Sequence, residues 1–325
     1  MRKQHLLSLL LFLTFGVSLT GQEKVIVLTT LGKVEYLPDR QSQPSRVTPG
    51  QELPSKGFIK FVDGGMTKLL LKGQPELLDK GGIYDLESLL REKSDRRQLN
   101  FISRFWRFVT EGVTSANDDK SLERYHEKYM TRSGGIKGWA KGEYGLAANV
   151  LIRGALAGQH ITFNWNAEAD VSAYDLFIYR QSDDMLAFKA STPDTVFTLD
   201  FDQLYLNPGT AYYWMVTPHQ EDMPLPTNST APAQRSAALT FTFAPQALEE
   251  TLAFHFEDPV YLNSTPEEQM LIEAYLLEDS GLFYDAGRRY ERLLQAYPED
   301  QLLRKLYASF LARQGTLEKA ATFLK

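Results

Sequence analysis

The chain has 325 residues, a formal charge of −6 and no cysteine. Its length suits two or three domains. The missing cysteine excludes disulfides, thiol nucleophiles and thiolate metal sites, and the acidic balance excludes a general nucleic-acid binder.

Residues 1–21 read as a cleavable secretory signal peptide. Arg2 and Lys3 form a basic head, residues 6–13 are an apolar run, and Ser18, Thr20 and Gly21 precede the polar Gln22. The apolar stretch is about 14 residues, short of the roughly 20 that span a membrane. Loss of Arg2 and Lys3 with this segment takes the formal charge from −6 to −8. No later segment has the length of a transmembrane helix, so the expected product is periplasmic or secreted. An exported chain without disulfides points to a bacterial source.

Residues 22–86 read as a small β domain, a barrel or sandwich. Val25, Val27, Leu31 and Val34 lie in short runs broken by Gly32 and Pro38. Strands are expected at 58–62 and 66–71, with a turn at Asp63-Gly64-Gly65 between them. Residues 87–157 read as a helical segment followed by a glycine-rich linker. Leu99, Ile102, Phe105, Trp106 and Val109 recur at helical spacing, with the helix end expected near Gly112. Arg96, Arg97, Arg104 and Arg107 make a solvated basic face, and the apolar stripe packs against the β domain. A turn at Asn117-Asp118-Asp119 leads to a second helix over 121–130, and 134–145 is a glycine-rich loop.

Residues 158–244 read as a β-sandwich. Strands are expected at 160–165, 174–179, 185–190, 196–201, 212–217 and 238–243, with an exposed loop over 223–234. By strand alternation Tyr212, Trp214 and Val216 share one face, and Tyr213 and Met215 the other. Tyr213 is either a packed aromatic or a surface contact. Residues 245–325 are helical. Thr265 caps a helix, Pro266 suits its first position, and Glu268 completes a capping box.

The C-terminal helices repeat with a period of 34 residues: Ala274 recurs as Ala308, Gly281 as Gly315, and Ala286 as Ala320, while Tyr290 is matched by Leu324. This resembles the tetratricopeptide repeat. The first copy covers 267–300 and is closed by Pro298; the second starts at Gln301. Met270 and Arg304 stand where that family often carries a large aromatic. The resemblance implies helix pairs that bind peptides or partner helices along a concave face.

Trp165, Tyr174 and the run Leu206-Asn207-Pro208-Gly209-Thr210-Ala211-Tyr212 resemble a fibronectin type III domain. The resemblance implies a tyrosine corner at Tyr212 and a core position for Trp165 and Tyr174. Gly32-Lys33-Val34, Val47-x-Pro49-Gly50-x-x-Leu53 and the 59–71 stretch resemble the extracytoplasmic β domain of ferric-citrate regulator (FecR) proteins, with a generic SH3-like barrel as the rival. In that family an anti-sigma segment and a membrane helix precede the domain. Here a signal segment stands directly before it, so the resemblance implies the fold alone.

Catalytic signatures are missing from the sequence. His5, His126, His160, His219 and His255 are isolated from one another. There is no Gly-x-Ser-x-Gly elbow, phosphate loop or His-Glu-x-x-His. Gly134, Gly135, Gly138, Gly142 and Gly145 do not lie between a strand and a helix. Asp200-Phe201-Asp202 lacks the further ligands of a calcium loop, Asp183-Asp184 reads as an exposed turn, and Asn228-Ser229-Thr230 matches a glycosylation site. No catalytic, cofactor-binding or metal residue is therefore expected. The expected function is a non-enzymatic extracytoplasmic adaptor or scaffold that binds protein partners, alone or within an oligomer or envelope assembly. The alternatives are an envelope signalling or sensor component, and a carbohydrate-binding or hydrolytic accessory protein.

Overall fold

A computed structural model describes residues 25–92, 101–133, 145–221, 225–226, 235–253, 256 and 258–324. The N-terminal segment read as a signal peptide, Arg96, Arg97, Leu99, residues 134–144, His255 and the Asn228 triplet lie outside these residues. The fold is mixed α/β: a curled antiparallel half-barrel sheet, a mixed β region in the middle, and C-terminal helices packed in pairs.

The half-barrel is built from β1 (Val25–Leu37), β2 (Ser45–Arg46), β3 (Glu52–Leu53), β4 (Phe58–Leu71), β5 (Gln74–Leu78) and β6 (Ile83–Asp85). Its path runs β2-β1-β4-β5, with β3 on β1 and β6 on β4. The runs Val25–Leu28 and Leu69–Leu71 are continuously apolar because both faces are covered. Val25, Val27, Leu69 and Leu71 point into the half-barrel with Leu86 and Leu90 of α1 (Leu86–Glu92). Ile26, Leu28 and Leu70 point the other way, into the core shared with the helices.

Two glycine readings are corrected here. Gly32 does not break the first strand, and Asp63-Gly64-Gly65 is not a turn: β1 and β4 pair on both sides of these residues. Between Leu31 and Lys33 the pairing partner moves from Met66 to Val62, a bulge that curls the sheet. Gly32 sits there at φ 72°, and a Cβ on Gly65 would stand 2.9 Å from the Lys33 carbonyl oxygen. Likewise Gly112 does not end its helix. Helix α2 runs Phe101–Ser115 and α3 runs Asp119–Ser133. A Cβ on Gly112 would meet Leu306 Cδ2 at 2.8 Å, so the glycine is there for close approach to another helix.

The middle region begins with β7 (Gly154–Leu156), which the sequence reading places in a linker. Strands β8 (His160–Asn164), β9 (Tyr174–Arg180), β10 (Met185–Thr192), β11 (Val196–Asp200), β12 (Ala211–Pro218) and β13 (Leu239–Phe243) follow at the expected places. They form a five-stranded sheet ordered β10-β9-β12-β13-β7 and a two-stranded ribbon β11-β8. β7 is parallel to β13. Just before it, Ala148 bridges Trp165, so this short stretch touches both layers. One core, including Ile161, Phe163, Ile178, Trp214 and Phe241, lies between sheet and ribbon. Tyr213 is packed, not a surface contact: it stacks on Tyr179 at 5.2 Å on the other face of the sheet.

Helices α4 (Ala247–Ala253) and α5 (Pro259–Leu262) lead into α6 (Pro266–Asp279), α7 (Phe283–Ala296), α8 (Gln301–Arg313) and α9 (Leu317–Ala321). Thr265 and Glu268 form the expected capping box. The 34-residue period is repeated in the hydrogen bonds. Leu282 N–H donates to Leu277 O at 2.8 Å and Thr316 N–H to Leu311 O at 2.9 Å. Gly281 and Gly315 donate to Glu278 O and Ala312 O, at φ 76° and 89°. Both pairs therefore turn through the same Schellman motif, which needs a left-handed residue at that point.

A single core joins the two ends of the chain. It contains Ile26, Leu28 and Leu70 of the half-barrel, Phe105, Trp106, Val109 and Val113 of α2, and the inner residues of α6 to α9. Each such side chain, fully buried, contributes roughly 1.5–3 kcal/mol. The described part of the stripe, Phe105, Trp106 and Val109, is thus core, but it faces α6 and α8 as well as the sheet. Gly50, from the Pro49-Gly50 motif, is held at φ 75° where a Cβ would lie 2.8 Å from Leu302 N. Lys305 Nζ donates to Gly50 O at 2.9 Å, and Lys68 pairs with Glu268.

Candidate functional site

The residues singled out in the sequence occupy two separate places. Trp165 and Tyr174 meet in the middle core with ring centroids 5.6 Å apart. Leu206 is buried beside them in the same cluster. Pro208 and Gly209 are exposed on the turn before β12. Tyr212 Oη accepts the Asn207 N–H at 2.9 Å, which pins the entry to β12. In the helices Ala274, Ala286, Ala308 and Ala320 are fully buried. Tyr290 lies 5.1 Å from Phe310 across the two pairs, and Pro298 stands exposed between α7 and α8. These groups hold the structure together; of the residues singled out, Gly281 alone lines the cleft described below.

The polar residues weighed in the sequence have local partners. Asp200 accepts from Asp202 N and Gln203 Nε2 as a cap. Asp183 accepts from Arg180 and the Met185 N–H. His126 donates to Ala312 O at 2.7 Å. Ser191, His219 and Lys189 surround the buried carboxylate of Asp175. Burial works to raise that carboxyl, but the two hydrogen bonds and the Lys189 charge outweigh it and hold Asp175 below its ordinary range. Ser191 donates to Asp175 itself and not to His219, so this cluster has no base-activated nucleophile. Among the described residues no group of three or more His, Asp or Glu is placed to hold a metal ion.

A concave site lies at the ends of α6 and α8, walled by α2 and α3. It has a volume of about 400 Å³, within the range of small-molecule sites. Phe108, Tyr125, Tyr129, Tyr275 and Phe283 supply its aromatic surface. Its floor is a buried ion pair: Arg313 Nε and Nη2 donate to the two oxygens of Glu278 at 2.6 and 2.8 Å. Arg313 is 4% exposed and Glu278 8%. The remaining Arg313 nitrogen donates to Tyr125 Oη at 3.0 Å. The guanidinium also stacks over Phe108, 4.6 Å from its centroid.

Burial opposes the Arg313 charge, but the Glu278 carboxylate outweighs it and holds the guanidinium firmly protonated. Burial, reinforced by Glu278, pushes the Tyr129 phenol up. Burial and the nearby Asp279 do the same to Tyr275. Behind the cleft Arg153 lies over the Phe283 ring at 4.6 Å and donates to Gln314 Oε1 at 2.5 Å. Glu111 and Lys128 are exposed at the rim. The lining has donors, acceptors and aromatic faces, but no Ser, Thr, Cys or His.

Sequence reading missed this cleft. Its parts come from α2, α3, α6, α7 and α8, and they meet only after the N-terminal helices fold back on the C-terminal pairs. One signal was available: Glu278 and Arg313 are charged residues on otherwise apolar helix faces, each just before a turn glycine. No protein-family model matches the chain, and no curated protein matches it.

Proposed function

We propose that the chain is a non-enzymatic extracytoplasmic scaffold, exported by its N-terminal segment, whose β units are held in fixed register by tetratricopeptide-like helices. The middle unit is read as fibronectin type III-like; the Asn207–Tyr212 bond supports this. The half-barrel is read as a regulator-type β domain. The shared Schellman turns at Gly281 and Gly315 support the repeat.

One observation carries the scaffold reading: the helices spend their inner faces on this chain's own parts. The faces of α6 and α8 that a free repeat would offer to a peptide are covered by α2. The α6–α7 turn is pressed against β7, where Gly281 O accepts the Ala155 N–H at 3.1 Å. The helices act as an internal clamp, and docking of a partner falls to the outer surfaces of the β units. Crosslinking mass spectrometry on intact cells of the native host tests this. Reproducible crosslinks from the β units to another envelope protein are expected. Crosslinks confined to the chain itself, or mapping to the α6 and α8 inner faces, would overturn it.

A further inference from the structure

We infer that the cleft between α2, α3 and the ends of α6 and α8 binds a neutral sugar ring. The inference adds a ligand to a chain read above as a protein scaffold, and each stands or falls separately. The charges around the cleft set the ligand's charge. Arg313 and Glu278 neutralise each other in the floor. Asp279 faces Arg104 at 3.9 Å. Glu111 on α2 and Lys128 on α3 are left at the rim with opposite signs. A site balanced in this way favours a ligand without net charge.

The aromatic faces narrow the chemistry further. A cationic ligand would seek Phe108 and Tyr125, but the Arg313 guanidinium already lies over both rings, at 4.6 and 5.8 Å from their centroids. A second cation would meet the first. An anion would meet Glu111 at the rim, and the Arg313 and Arg104 guanidinium groups are already engaged by Glu278 and Asp279. A purely apolar ligand would strip water from Glu111 and Lys128 and give nothing in return, which is costly. A pyranose ring avoids each of these conflicts. Its C–H faces lie on aromatic rings, and its hydroxyls both donate and accept, as Glu111, Asp279, Lys128 and the Tyr125 hydroxyl require. The volume of about 400 Å³ holds one or two such rings.

Saturation-transfer NMR on the purified protein tests the inference, with short neutral gluco-, xylo- and N-acetylglucosamine oligosaccharides as probes. Arginine ethyl ester and glucuronic acid serve as charged competitors. A parallel arm uses insoluble neutral polysaccharide in sedimentation, to tell a soluble sugar from a polymer surface. Binding of at least one neutral probe is expected, weakened about tenfold by Glu111→Ala or Lys128→Ala, the loss of one hydrogen bond to a charged group. Both residues are exposed, so the variants keep the fold, and amide exchange on α2 and α3 gives a second readout. Failure of every neutral probe, preference for either charged competitor, or binding that ignores both substitutions would overturn the inference.

Discussion

Glycine does different work at the two ends of this molecule. In the C-terminal helices Gly281 and Gly315 are needed for their backbone angle: both sit at positive φ, and nothing crowds Gly281. In the N-terminal half Gly65 and Gly112 are needed for clearance, against the Lys33 carbonyl and the Leu306 side chain. The first kind of glycine is legible from its neighbours, because the turn it permits is local. The second kind is not, because the atom it makes room for comes from elsewhere in the chain. That is why the turn glycines fall at their expected places, while Gly65 and Gly112 read as breaks and are not.

The largest expected effect joins both kinds of information. Arg313 and Glu278 belong to the repeated helices, yet they are 35 residues apart, one out of step with the 34-residue period. Arg313→Ala leaves Glu278 buried and unpaired, and chemical denaturation should record a loss of about 3–5 kcal/mol. The double variant Arg313→Met with Glu278→Leu should recover most of it. If the single variant is nearly neutral, the pair is wetter than its burial implies.

Gly154 needs both angle and clearance. Its φ is 73°, and a Cβ would stand 2.3 Å from the Gly281 carbonyl oxygen. Gly154→Ala should cost about 3 kcal/mol in thermal or urea unfolding, the sum of a left-handed penalty and overpacking. Asparagine then separates the two roles. Because it tolerates the left-handed region, Gly281→Asn should cost less than Gly281→Ala, itself about 1–2 kcal/mol. At Gly112 the order reverses. Gly112→Ala gains about 1 kcal/mol of helix propensity against its contact with Leu306, whereas Gly112→Asn gains less and crowds more. Equal ranking of Asn and Ala at both sites would break the distinction.

The smallest effect concerns Asp285, in the first turn of α7. Its Oδ2 is buried without a hydrogen-bond partner, and burial pushes its carboxyl up despite Arg289. A raised carboxyl favours the fold fully when protonated, below its unfolded value, and loses that contribution as pH rises through its folded value. Asp285→Asn should therefore stabilise the protein by about 0.5–1 kcal/mol at neutral pH. The gain should shrink as pH falls below the ordinary carboxylate range, as read by melting temperature across pH.

Elsewhere legibility follows the same division. The strands from β8 to β13 are marked by alternation and turn residues, and the Tyr212 corner by a contiguous run. β7 carries no such mark: three residues, Gly-Ala-Leu, become a strand only because β13 lies alongside. The aromatic cleft fails to show for the same reason at larger scale, since helices separated by more than a hundred residues supply its walls and floor.

The two-sided burial of β1 has a consequence for the order of folding. Ile26, Leu28 and Leu70 are covered by helices whose sequence comes near the other terminus, and the Lys305–Gly50 bond closes a span of 255 residues. Loop closure on that scale is slow and comes late. Until then the first strands to be made present an apolar sheet face with nothing on it, a surface open to mispairing. The N-terminal half-barrel therefore depends on the last helices for its safety as well as its stability, and a chain stopped before α8 should aggregate through its beginning.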